Sequence, residues 1–226
     1  MLVSHTHKFI YTKTIKTAST SVEAYFEKFC MPNDALADTT DARSEYISNT
    51  GIIGHRGTHP REAKKNYIWY NHKSACDIKQ DIGDDIWNSY YKFCVVRNPY
   101  ERAISHFYWV KHINGSPSSE NIIDDQIEFT KFITEGNIFD SDKWLYSIDG
   151  NFCLNDVVRH ENLDSDMKRV CSILGVPWIP EALPNFKSRV TPAAAKVGVM
   201  YSAETRCIVE KLCAFELAYF NYEFNK

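Results

Sequence analysis

The sequence predicts an α/β fold, a single domain in which helices flank a central parallel sheet. Three observations carry that prediction. Tyr91-Lys92-Phe93-Cys94-Val95-Val96 is a nearly continuous apolar run of strand length, the pattern of a strand buried on both faces. Strand-like stretches at 8–12, 66–71 and 155–159 alternate with helical patterns, the succession that builds βαβ units. The chain has 226 residues with no internal repeat and no flexible linker, so one domain over 1–226 is expected.

Each element has its own signal. Residues 8–12 (Lys-Phe-Ile-Tyr-Thr) read as a short buried strand. Residues 19–30 read as a helix, with Ser19 or Thr20 as its cap and Val22, Tyr25, Phe26 and Phe29 at helical spacing. Pro32-Asn33 ends it, and 31–50 read as a polar loop. Residues 66–71 (Asn-Tyr-Ile-Trp-Tyr-Asn) are expected to form a strand leading to His72, followed by short helices at 74–82 and 84–90. After the 91–96 strand, Pro99 suits the first turn of a helix running to about residue 111. Residues 115–119 form a loop. From Glu120 to Asp142 there are seven acids and one lysine, most simply a solvated face. A strand at 155–159, a helix from Asn162 to Leu174 stopped by Gly175 and Pro177, and a last helix at 202–220 complete the chain.

Composition excludes several functions. The balance of 26 basic and 29 acidic residues gives net charge −3, which argues against general nucleic-acid binding. No apolar run is long enough for a transmembrane helix, and the first residues lack a secretory signal pattern, so a cytoplasmic protein is expected. Seven cysteines without a Cys-x-x-Cys pair read as reduced, buried thiols. The histidine pairs His5/His7 and His55/His59 lack metal-site context, so no metal is expected.

Two segments carry candidate chemistry. In Tyr11-Thr12-Lys13-Thr14-Ile15-Lys16-Thr17-Ala18-Ser19-Thr20-Ser21 a strand enters a turn and a helix leaves it. Such a turn directs backbone N–H groups at one point, backed by the positive end of the helix dipole, and suits a phosphate or sulfate. Hydroxyls at 17, 19, 20 and 21 and the Lys16 charge add to it; a plain capped helix with a solvated lysine is the alternative. The segment lacks the glycines of the nucleoside-triphosphate P-loop, and its lysine precedes the turn. In the second segment, Arg97 follows the central strand directly, where open α/β sheets bind ligands. Its planar fork suits phosphate, although pairing with a nearby acid is equally open. Arg102 and Ser105 follow on the next helix. His106 reads as packed on that helix.

Together these segments resemble the sulfotransferases that use 3′-phosphoadenosine 5′-phosphosulfate (PAPS), most closely the branch with Golgi glycan sulfotransferases and small bacterial relatives. Lys16-Thr17-Ala18-Ser19-Thr20-Ser21 resembles that branch's 5′-phosphosulfate loop, and Phe93 to Ser105 its 3′-phosphate motif. Asn71-His72-Lys73-Ser74-Ala75 resembles its histidine segment, Val158 to Leu163 an Arg-Tyr-Glu-Asn-Leu block, and Leu183 to Ser188 a late loop that closes over the cofactor. Ile15 stands where the family usually keeps proline, and His160 where it usually keeps tyrosine. Residues 31–65 match nothing in the family pattern and are the expected place of acceptor recognition.

The resemblance implies a P-loop-like sulfotransferase fold and in-line transfer of a sulfuryl group from PAPS, without metal, to a hydroxyl acceptor. The branch favours a glycan or glycolipid. It implies that Lys16 neutralises charge on the transferring group and that Thr17, Ala18, Ser19, Thr20 and Ser21 hold the 5′-phosphate. Arg97 and Ser105 hold the 3′-phosphate, with Lys187 and Arg189 reaching over from the late loop. A histidine is the natural base near neutral pH. His72 is the first choice and His55 the second, and an acid limb near an ordinary histidine pKa is expected in the rate profile. The alternatives are a nucleotide or small-molecule kinase and a non-catalytic PAPS- or glycan-binding module.

Overall fold

A computed structural model describes residues 1–32, 42–116, 121–138, 141–186 and 190–224. The chain divides into two compact units, Met1–Val96 with Lys143–Phe186, and Arg97–Asp142 with Lys187–Lys226.

The first unit holds the sheet. Its strands are β1 (Leu2–Ser4), β2 (Phe9–Thr12), β3 (Tyr46–Ile47), β4 (Gly51–Ile53) and β5 (Tyr91–Val96). Two residue pairs, β6 (Ser147–Ile148) and β7 (Asn151–Phe152), form a separate hairpin, and β8 (Asp156–Arg159) returns to the main sheet. The main-sheet order is β3-β4-β1-β2-β5-β8. β2, β5 and β8 are parallel, so the expected parallel sheet is present at the strands the sequence identified. An antiparallel extension of β1, β4 and β3, not expected from sequence, is added beside β2.

Helices α1 (Ser19–Glu27), α2 (Pro60–Asn66), α3 (Ala75–Ile82) and α4 (Asp84–Ser89) belong to this unit. Alternate strand residues Leu2, Phe9, Tyr11, Phe93, Val95 and Val158 point into one core with Val22, Tyr25 and Phe26 of α1, as the two-residue period of a strand requires. The Phe26 ring sits edge-on to Phe9 and Phe93, with centroids 5.5 and 5.1 Å away. The opposite face of β5 is closed in part by Lys92, whose Nζ donates to the carbonyls of Trp87 and Tyr90 at 2.9 and 2.7 Å.

The second unit contains α5 (Pro99–Ile113) and α6 (Ile122–Thr134). α7 (Lys143–Tyr146) and α8 (Leu163–Leu174) belong again to the first unit, where Met167, Val170, Cys171 and Leu174 of α8 join the same core. α9 (Val197–Met200), α10 (Ala203–Leu212) and α11 (Ala214–Tyr219) complete the second. Tyr100, Ile104 and Phe107 of α5 pack there against Phe129, Phe132 and Ile133 of α6 and Val209 of α10. His106 packs edge-on against Phe132, as expected.

Several expectations need correction. Residues 67–71 do not form a strand. His59 and Pro60 start α2, which runs through Asn66, and the segment 67–71 touches β structure only through one isolated bridge, His55 to Tyr70. The acidic stretch from 120 is not wholly solvated. α6 buries Asp125, which accepts from Tyr108 Oη and Lys111 Nζ at 2.8 Å each. The last helix breaks at Cys213. Residues 117–119 of the expected 115–119 loop lie outside the described residues.

Candidate active site

The site grows from the turn between β2 and α1. Lys13 and Thr14 leave the strand buried. The chain then reverses through two left-handed residues, Lys16 (φ 61°) and Ala18 (φ 64°). Ala18, with no side-chain cap bond, is the residue that precedes α1. The expected Ser19 or Thr20 cap is therefore not the arrangement found. Ser19 Oγ instead donates to the Thr14 carbonyl at 2.5 Å, closing the turn from inside, and Tyr11 Oη donates to the Ser19 carbonyl at 2.9 Å. Thr14 Oγ1 donates to the Val95 carbonyl, and its oxygen lies 2.7 Å from Thr17 Oγ1.

The four predicted hydroxyls thus divide. Those of Thr17 and Ser19 are buried and bonded within the loop. Ser21 Oγ accepts from the Phe186 amide at 3.3 Å. Thr20 is partly exposed and makes no hydrogen bond through its hydroxyl among the described residues. At the start of α1 the Ser21 and Val22 amides donate to the Ala18 carbonyl at 3.0 and 3.3 Å, which leaves the Ser19 and Thr20 amides outside the helix's own bonding. The Ser21–Phe186 contact ties the start of the late loop to α1. Lys187 and Arg189, expected next on that loop, lie outside the described residues.

His72 is brought to this turn by long-range folding. Its backbone is left-handed (φ 57°), a region His tolerates better than most residues. Its Nδ1 lies 3.1 Å from the Lys13 carbonyl oxygen. Because a carbonyl only accepts, Nδ1 carries the proton and Nε2 keeps the lone pair. Burial, reinforced by the Lys13 ammonium, holds the imidazole pKa down at about 3. A neutral ring with an available lone pair can accept a proton. The next residues are structural. Lys73 pairs with Asp81 at 2.6 Å, and Ser74 caps α3 by accepting from the Asp77 amide at 3.0 Å.

His55 is placed differently. Its ring stacks on Tyr67 with centroids 4.0 Å apart, and Nε2 lies 2.9 Å from Thr58 Oγ1. Its backbone bonds to Trp69 and Asn71, so it sits one bridge away from the His72 segment.

Sequence reasoning missed the charges beneath the turn. Lys13 Nζ lies 2.6 Å from Glu23 Oε2, and the Met1 ammonium 2.6 Å from Glu23 Oε1. Arg56 bridges Glu23 and Glu27, and Arg43 pairs with Glu27 at 2.7 Å. Burial alone would raise the Glu23 pKa. The Lys13 and Met1 charges outweigh it and leave the carboxyl at about 2. The available signal was two acids, Glu23 and Glu27, one helical turn apart within a helix otherwise rich in apolar residues.

In the second unit, Asn98 caps α5 by accepting from the Tyr100 amide at 3.1 Å. Arg97 Nε and Nη2 lie 3.3 and 3.2 Å from Glu101 Oε2, so the nearby-acid alternative describes this side chain. Glu101 and the partly exposed Ser105 are four residues apart on α5, neighbours on one face. Arg102 is instead buried against Asp142 at 2.8 Å.

The chain thus passes from a parallel strand through a left-handed turn into a helix, with a neutral histidine bound to the turn. The chain matches the sulfotransferase family over residues 1–223 and belongs to it. A search of curated proteins and one of solved structures each returned no match. Among the described residues no helix is long and apolar enough to cross a membrane.

Proposed function

We propose that this sulfotransferase moves the sulfuryl group of PAPS to a hydroxyl on a carbohydrate acceptor, a glycan or glycolipid. The observation that carries the reading is the His72–Lys13 hydrogen bond, which joins the prospective base to the turn bearing Lys16. The family match runs across both compact units, and we take 1–226 as one catalytic domain.

In this reading the amides of residues 17–20 and the Thr20 hydroxyl hold the 5′-phosphate, while the Thr17 and Ser19 hydroxyls shape the turn and the Ser21 amide is held by the Ala18 carbonyl. Lys16 neutralises charge on the bridging oxygen as the sulfur–oxygen bond to the nucleotide breaks. Arg97 exchanges Glu101 for the 3′-phosphate, with Ser105 beside it, and Lys187 and Arg189 act from the late loop. His72 Nε2 takes the acceptor proton as the new oxygen–sulfur bond forms. Sulfuryl transfer gains chiefly from such positioning and charge stabilisation, as phosphoryl transfer does, and these cations do that work without a metal. A cytoplasmic location fits the seven free thiols.

The test is a screen with sulfur-labelled PAPS against glycans, glycolipids, small alcohols and tyrosine peptides. Label transfer to a sugar hydroxyl is expected. Transfer only to peptide tyrosine would overturn the acceptor class, and binding of PAPS without transfer to any acceptor would overturn the enzymatic reading.

A further inference from the structure

We infer that the buried Lys13–Glu23 ion pair is a positioning device that holds His72 in the tautomer with its proton on Nδ1. The tautomer stands on geometry alone; its catalytic consequence rests on the reading of His72 as the base.

One residue, Lys13, performs both halves of the task. Its side chain is anchored to α1 through Glu23, a carboxylate with no exposure to solvent. Its carbonyl accepts from His72 Nδ1, 59 residues away in sequence. Rotation of the Lys13 peptide would break that bond, and the Glu23 anchor resists rotation. Glu23 is itself held from a second side by the Met1 ammonium and from a third by Arg56 at 3.7 Å. A buried ion pair costs more desolvation than an apolar pair of equal volume. Net stability is thus a poor reason for it, and placement of the carbonyl a better one. Among the described residues no carboxylate is hydrogen-bonded to the His72 ring. The carbonyl takes the orienting role that a carboxylate often fills beside a histidine.

The same pair sets the charge around the ring. The charged groups acting on the imidazole are the Lys13 ammonium from just after β2, the Met1 ammonium from just before β1 and the Glu23 carboxylate from α1. Lys73, next in the chain, is turned to Asp81. Lys13 therefore opposes formation of the imidazolium while its own carbonyl fixes which nitrogen is open.

The experiment uses the full chain with ¹⁵N-labelled histidine. Imidazole nitrogen shifts are recorded against pH for the wild type, Lys13→Met and Glu23→Gln. The wild type is expected to show His72 neutral at pH 7 with Nδ1 protonated. In Lys13→Met the proton redistributes toward Nε2 and the ring titrates at least about one unit higher, because an adjacent positive charge is gone. Sulfuryl transfer falls at least about tenfold in kcat, because the ring then presents a proton where its lone pair is needed. Affinity for 3′-phosphoadenosine 5′-phosphate stays within about threefold, under 1 kcal/mol. Glu23→Gln, which keeps an acceptor oxygen for Lys13, moves the tautomer in the same direction by less but the titration the opposite way, because a carboxylate that favours the imidazolium is gone; it serves if Lys13→Met does not fold. Unchanged tautomer and titration in a folded variant would overturn the inference. A shifted tautomer with undiminished kcat would support it and remove His72 from the role of base.

Discussion

Thr14 Oγ1 donates to the Val95 carbonyl at 2.5 Å. That one bond fastens the turn after β2 to the C-terminal end of β5, two residues before Arg97 in the chain. Both partners are fully buried. Thr14→Val keeps the shape but leaves the Val95 carbonyl unsatisfied, and deprives Thr17 of its partner. An orphaned buried acceptor costs about 1–3 kcal/mol, so the denaturant midpoint should fall accordingly. Thr14→Ser should recover most of the loss. Equal stability of the valine variant would mean that the bond contributes nothing to the turn.

Arg97 is held by Glu101 through a single carboxylate oxygen. Charge-assisted bonds to a phosphate are worth about 1.5–3 kcal/mol each, so Arg97→Ala should weaken binding of 3′-phosphoadenosine 5′-phosphate at least about tenfold by calorimetry. Glu101→Gln removes the competitor. A partly exposed pair of this kind is worth about 1 kcal/mol or less, so the same titration should show tighter binding by up to about fivefold. Weaker binding in Glu101→Gln would mean that the acid assists the nucleotide instead of competing with it.

The parts of the fold legible in the sequence were those with strong local signals. The Tyr91–Val96 run is too apolar to lie anywhere but mid-sheet, and Asn98-Pro99 starts α5 by cap chemistry alone. β1 was not legible, because Leu2-Val3-Ser4 is only three residues long and becomes a strand by pairing with β2 and β4. At 66–71, aromatic and apolar residues suggested a strand, yet His59-Pro60 had already committed the preceding turns to helix, and Ile68 is left 59% exposed. The candidate site divides the same way. The hydroxyl-rich turn and His72 could be read from type and order. That Thr17 and Ser19 point inward could not, since their partner Thr14 is itself fixed by Val95, far away in sequence.

Metal dependence offers a separate test. The proposed mechanism assigns the charge stabilisation to Lys16, Arg97 and the α1 amides, the roles a divalent ion fills in kinases. Turnover with PAPS should survive thorough chelation and should not rise with added magnesium. Loss on chelation with recovery on magnesium would favour the kinase-like chemistry instead.

Acid should destabilise the fold chiefly through two groups, beside smaller depressions at His5 and Glu210. Glu23 is depressed to about 2 in the folded state from 4.5, so its contribution is present above about pH 4.5 and is lost as pH falls toward 2. His72 is depressed to about 3 from 6.5, so the unfolded chain binds its proton first. Its contribution is complete above about 6.5 and declines as pH falls from there toward 3. Thermal midpoints should therefore drop continuously below pH 6.5, and His72→Ala should flatten the upper part of that decline. An unchanged slope between pH 6.5 and 4.5 in that variant would mean His72 is not the group titrating.

The same depression changes what the rate profile should look like. For an exposed histidine base, kcat/KM would climb with pH through about 6.5. His72 is already neutral there, because burial and the Lys13 charge keep its ring unprotonated down to about pH 3. On its account kcat/KM, which reports the free enzyme, should be level from about pH 5 to 8. His72→Ala should lower kcat by about 10²-fold, the lower end of a positioned base's contribution because a ring depressed to about 3 is a weak base, while leaving nucleotide affinity nearly intact. His55→Ala should cost far less, since its ring is stacked on Tyr67 and engaged with Thr58. Stopped assays across that pH range with a verified acceptor decide the matter. Near-full turnover in His72→Ala together with its loss in His55→Ala would move the base to His55.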